Sequence, residues 1–189
     1  EFKNNYIDDG KIKFVYFGRV IKEKGIEEAI KLIKKLNNEK YNCTLDIYGQ
    51  CKDEYLNEIQ NMFDDKIIYH GEIKPDSKTE YEILSRYDVF IFPTEYLGEC
   101  LPGAIIDCYI SGLAVVASNW KYAKEYILEN KNGKIFEYKN YDDMYDKALE
   151  MINDNSILKY KEKSKELSKN YIIENVLKDF KNELLEENK

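Results

Sequence analysis

Two acids eight positions apart, Glu99 and Asp107, flank a short loop and the start of a helix in the stretch YDVFIFPTEYLGECLPGAIIDCYISGLAVVASNW, residues 87–120. The backbone N–H groups of Leu101, Gly103, Ala104 and Ile105 lie at or near that helix start. Several of them lack intrahelical partners, and the helix dipole adds partial positive charge. Such a place suits an anion or a polar oxygen. A carboxylate accepts hydroxyl hydrogen bonds, and Asp107 lies about one and a half turns into the helix, so the two acids can face one ligand from two levels. Hydroxyl-binding acids beside anion-binding donors would suit a sugar joined to a phosphate. Near the start of the chain, Gly18-Arg19 and Lys24-Gly25 add two cations after an apolar run. Arg offers a fork for phosphate oxygens and Lys a point charge. On residues alone, two solvated loop cations, a loop acid at Glu99 and a solvent-facing Asp107 remain the alternative.

The elements that must position these groups read as alternating strands and helices. Val89–Phe92 is a continuous apolar run, the pattern of a strand buried on both faces. Pro93 stops it. Pro102 occupies the first helical position, where its missing N–H costs nothing, and Gly112 closes the helix in the left-handed region. Leu113–Ala117 is the next strand. Upstream, Lys11–Phe17 is the first strand, and a helix starting at Ile26 is marked by apolar residues at Ile26, Ala29, Ile30, Ile33 and Leu36. Thr44–Tyr48 and Lys66–Tyr69 are strands two and three, the latter ended by His70-Gly71, with a helix over 53–63 between them. A short helix lies within 75–86 and another over 124–128. Lys134–Phe136 is the last strand. Further helices span 142–152, 157–167 and 175–187, the last dense in Lys and Glu as a solvated face. The expected architecture is a doubly wound, Rossmann-like α/β fold: a parallel sheet of about six strands with helices on both faces. Residues 1–10 read as a tail or linker and 11–189 as one domain. In such sheets ligands gather at the carboxyl ends of the strands.

The order of acid, Gly/Leu/Pro loop, seven residues, acid, then small-Gly-x-x-Val-Val-Ala resembles the E-x7-E signature of glycosyltransferase family 4. The segments SNWKYAKEYI and NGKIF also resemble the family's segment downstream of that motif. Asp107 stands where the second acid is usually Glu. The resemblance implies the C-terminal, donor-binding half of a GT-B fold and retaining transfer of a sugar from a UDP- or GDP-linked donor to a glycan or lipid-linked acceptor. It carries the diphosphate-holding role to Arg19 and Lys24, beside Gly18. Glu99 and the groups from Cys100 through Leu101 and Pro102 to Gly103 would hold the transferred sugar, Asp107 the ribose hydroxyls, and Gly71, Glu72 and Ile73 the base. It implies no cofactor beyond the nucleotide-sugar substrate, no metal, and an acceptor-binding N-terminal domain in the same longer chain or in a partner chain. By the same resemblance the setting is cytoplasmic or peripheral at the inner face of a membrane, any membrane contact coming through other parts. A non-catalytic nucleotide-sugar-binding or partner-binding subunit is the alternative of a different class.

Composition narrows the rest. The chain has 189 residues, 43% hydrophobic and 34% charged, as a globular domain with a sizeable core has. The net charge of −7 argues against a nucleic-acid surface, so a phosphate needs a local basic cluster. No apolar run reaches a membrane span. Cys43, Cys51, Cys100 and Cys108 form no C-x-x-C pair and read as packing residues in a reducing compartment. Neither a dinucleotide G-x-G-x-x-G nor a P-loop follows any strand, no D-x-D metal motif occurs, and no G-x-S-x-G occurs. His70, the single histidine, is not expected to act as a base. A receiver-like flavodoxin fold would need acids after the first and third strands, where Gly18-Arg19 and His70-Gly71 stand instead.

Overall fold

The structure, a computed structural model, describes residues 6–73, 77–96, 98–173 and 175–177. Its sheet has six parallel strands: β1 (Ile12–Phe17), β2 (Cys43–Tyr48), β3 (Ile67–Gly71), β4 (Val89–Phe92), β5 (Ala114–Ser118) and β6 (Gly133–Phe136). Their order is β3-β2-β1-β4-β5-β6. This is the doubly wound arrangement whose order reverses between β1 and β4, and the crevice at that reversal is where such folds take ligands. The flavodoxin order is thereby excluded.

The strand period of two explains the two cores. In β1, Phe14 and Tyr16 face one side and Val15 the other; in β4, Val89 and Ile91 oppose Phe90 and Phe92. Helices α1 (Ile26–Asn38) and α6 (Tyr141–Asn153) cover the first side with Ile30, Ile33, Leu36, Met144, Ala148 and Met151. Helices α4 (Gly103–Ser111) and α5 (Ala123–Tyr126) lie on the other, where Ile105, Cys108 and Tyr109 pack on Phe90 and Phe92, and α7 (Ile157–Ser168) reaches both cores, with Tyr160 in the first and Leu167 against the second. α2 (Asp53–Ile59) is shorter than the sequence pattern suggests, because a tighter turn over Gln60–Met62 takes its last residues. α3 (Ser77–Leu84) starts within the expected span. β3 runs on through His70 and Gly71 instead of ending before them, since the Gly71 carbonyl accepts from the Gly49 N–H at 2.8 Å. The expectation of a helix over 175–187 falls outside the described residues beyond Leu177.

Two glycines bring the strand ends together. Gly49, at φ +145°, closes β2 against β1, and any Cβ there would overlap the Gly18 carbonyl oxygen. Gly25, at φ +71°, opens α1, and a Cβ there would overlap the Pro93 carbonyl oxygen at the end of β4. Both positions therefore need glycine on two grounds, backbone conformation and close approach. The first draws the ends of β1, β2 and β3 into one rim, and the second sets the β1 loop against the β4 loop.

Candidate functional site

The two loops meet at a buried ion pair. Lys24 Nζ contacts Glu99 Oε1, and both residues are only 7% exposed. The Lys24 ammonium also lies 5.4 Å from the centre of the Phe92 ring and 5.3 Å from that of Tyr96, within cation–π range. Burial, with the Arg19 guanidinium adding to it, pushes the Lys24 ammonium down to about 8. Arg19 itself is exposed, and its carbonyl is fixed by the buried Tyr16 hydroxyl at 2.7 Å. Three of the four expected charged groups thus converge where β1 and β4 end. Sequence separates them widely; the strand order brings them together.

The β4 loop is clamped from several directions. The Glu95 N–H donates to the Glu23 carbonyl at 2.8 Å, tying it to the β1 loop. Tyr138 donates to the Glu95 carbonyl at 2.8 Å, and Tyr141 to its carboxylate, which also pairs with Lys139 at 3.0 Å. Ser118 Oγ donates to the Thr94 carbonyl at 2.7 Å. Sequence reasoning missed Glu95. Its tyrosine partners stand 43 and 46 positions away, beyond any local pattern.

Asp107 packs beside α3. It sits in the second turn of α4 against α3, where Tyr81 donates to its Oδ1 at 3.4 Å. Burial raises its carboxyl above the usual range, opposed by the Tyr81 hydrogen bond. Glu80, also on α3, is pushed up to about 7 by burial and by the Asp107 charge. Glu80 and Tyr81 are thus neighbours of this acid that no sequence pattern singles out; only the packing of α3 on α4 reveals them. Because the Glu80 carboxyl titrates higher folded than its ordinary 4.5, the folded chain holds more protons between about 4.5 and 7. Its contribution to stability therefore falls as pH rises through that window. Glu80→Gln should remove about 1 kcal/mol of this decline, solvent screening of a half-exposed group allowed for. Melting curves at pH 5 and pH 7.5 for both proteins would show it, and parallel shifts in the two would refute it.

The other expected residues fall into distinct places. α4 starts at Gly103 with Pro102 as its cap residue, one position later than the spacing suggests. The Ile105 N–H is used internally, by the Pro102 carbonyl at 3.0 Å, so it leaves the set of free donors. Gly103 is exposed, with open space where a Cβ would stand. Leu101 is exposed too. Gly71 carries its carbonyl to Gly49, placing Gly71, Glu72 and Ile73 on the rim that includes Gly18. His70 pairs with Asp46 at 2.5 Å and stacks on Tyr48 at 4.7 Å, contacts that keep its ring on the sheet face. Cys43 and Cys108 are buried, as packing residues should be. Cys51 is partly buried and packs against the core, whereas Cys100 is exposed, which corrects the packing reading for that one, since it sits in the loop before α4. A hollow of about 750 Å³ lies away from all of these, between β6 and the residues around Leu128 and Lys147, and none of the expected site residues lines it.

Residues 1–173 match the family described as Glycosyl transferases group 1. The chain belongs to that glycosyltransferase family. It is 32% identical over 130 residues to the poly(ribitol-phosphate) alpha-N-acetylglucosaminyltransferase of Staphylococcus aureus strain COL, a match covering 68% of this chain and 25% of that one. The fold superposes on the pneumococcal O-GlcNAc transferase GtfA, solved in complex with UDP and GlcNAc, with a TM-score of 0.79 at 20% identity, covering 98% of this chain and 38% of that one. The C-terminal domain of the glycosyl transferase group 1 family protein LpcC from Francisella tularensis superposes with a TM-score of 0.70 at 25% identity, covering 87% of this chain and 88% of that domain. The Rossmann-like sheet is thus part of the larger GT-B transferases it matches. Against curated relatives the chain spans between 25% and 42% of their length. Among the described residues no helix is long and apolar enough to cross a membrane.

Proposed function

We propose that this domain binds a UDP- or GDP-linked sugar and serves its retaining transfer to a glycan or lipid-linked acceptor, as in glycosyltransferase family 4. The observation that carries the reading is the buried Lys24–Glu99 pair beside Arg19, at the point where the strand order reverses. A protein seldom buries charges there without a polar ligand to meet them. Arg19 and Lys24 hold the diphosphate. Their attraction grows as the glycosidic bond breaks and the leaving phosphate gains charge, and one such preorganised contact contributes about 3 kcal/mol in the transition state. Glu99 and the backbone N–H groups of Cys100, Leu101 and Gly103 hold the transferred sugar as it passes through an oxocarbenium-like state. Asp107 takes the ribose hydroxyls, and Gly71–Ile73 the base.

The acceptor half comes from an N-terminal domain of the same longer chain or from a partner chain. The 189 residues alone then bind donor weakly and do not transfer it. The relatives named for poly(ribitol-phosphate) and for capsular polysaccharide biosynthesis favour a polymer as acceptor. Calorimetric titration with UDP-, GDP- and ADP-sugars tests the reading. One nucleotide class should bind, and Asp107→Ala should weaken it about tenfold, the worth of a hydrogen bond to a charged group. Absence of binding to every member of the panel would overturn it.

A further inference from the structure

Tyr96 is 43% exposed, although it follows the clamped residues Thr94 and Glu95. Its N–H donates to Thr94 Oγ1 at 3.2 Å, and its carbonyl accepts from the Glu99 N–H at 3.3 Å. Thr94 is fully buried and held by Ser118, while Glu95 is held by Tyr138, Tyr141 and Lys139. The ring therefore starts from backbone held on its N-terminal side. Its edge rests on bare chain at Gly98, where a Cβ would come 2.8 Å from its Cζ. Lys24 Nζ stands 5.3 Å from its centre. A part-exposed aromatic ring with bare chain at its edge, a buried cation over one face and a buried carboxylate close by leaves its other face to a carbohydrate. The axial C–H bonds of a pyranose carry partial positive charge and pack on the negative face of a π system, while its hydroxyls reach polar groups at the ring's edge.

We infer that Tyr96 is a sugar-binding residue, stacking on the pyranose of the donor while Glu99 takes its hydroxyls. This rests on the donor reading above and deepens it: the site selects a pyranose-bearing nucleotide over the bare nucleotide. Calorimetry with UDP and UDP-GlcNAc on the wild-type chain, Tyr96→Ala and Tyr96→Phe separates the two. The affinity ratio of UDP-GlcNAc to UDP should fall about three- to tenfold in Tyr96→Ala with UDP affinity unchanged, and Tyr96→Phe, which keeps the ring, should restore it. A melting temperature equal to the wild type's confirms that the alanine variant is folded. Equal loss for UDP and UDP-GlcNAc, or no change in either, would overturn the platform while leaving the donor reading intact. A wild-type chain that binds neither these nor any other member of the nucleotide-sugar panel would overturn both.

Discussion

Lys24→Met should lower folding stability by about 3 kcal/mol in the absence of any ligand, or about 6–12 °C in melting temperature for a chain of this size. Methionine keeps most of the apolar stem between Phe92 and Tyr96, so packing changes little. What disappears is the counter-ion of Glu99, a carboxylate only 7% exposed. Removing one partner strands the other charge in a medium that solvates it poorly, and that costs more than the pair itself contributes. Glu99 must then take up a proton or turn the loop toward water. Glu99→Gln placed on top of Lys24→Met should restore most of the loss, because a neutral amide has no counter-ion to miss. A double-mutant cycle reads this directly, and strictly additive losses would show that the contact carries no coupling. The same lysine sets a pH dependence of binding: burial pushes Lys24 down to about 8, so a phosphate ligand loses its cation as pH rises from 7 to 9.

The pair shows where sequence reading stops. The strands were legible because β-branched and aromatic runs such as Val89–Phe92 cannot be satisfied on a half-exposed helix. The ends were legible because Gly112 and Pro93 leave few backbone choices. Arg19, Lys24, Glu99 and Asp107 could be named from residue type, loop position and a family signature. Which cation would meet which acid could not be named. That depends on Gly25 admitting the Pro93 carbonyl, on the order of strands across the sheet, and on Glu95 reaching residues near α6. These are properties of packing between distant segments. Asp107 illustrates the same limit from the other side: its position on α4 was readable, whereas its neighbours Glu80 and Tyr81 belong to a helix that only the folded chain lays beside it. Cys100 was misread because composition alone weighs a cysteine as buried, and a loop at a helix start exposes it.

Arg19→Ala should leave the fold untouched and disable the site. Its side chain is exposed, and the bond that fixes the loop runs from the Tyr16 hydroxyl to the Arg19 main-chain carbonyl, which alanine retains. Melting temperature should therefore shift by no more than about 1 °C, as for surface changes away from packing and caps. Donor affinity should fall about tenfold, and transfer by the full-length enzyme by about 10²–10³, because a cation aimed at the leaving phosphate is worth most when the charge on that phosphate peaks. Arg19→Lys should recover only part of the loss, since an ammonium keeps the charge and gives up the two-pronged geometry. Uridine supplies the control: it has no phosphate, so its affinity should be indifferent to the substitution while that of UDP is not. Unchanged affinity for UDP and GDP donors alike would remove Arg19 from the diphosphate and leave Lys24 as the charge that has to hold it. The Lys24–Glu99 contact would then have to open each time a donor arrives, because the cation it neutralises would have no substitute.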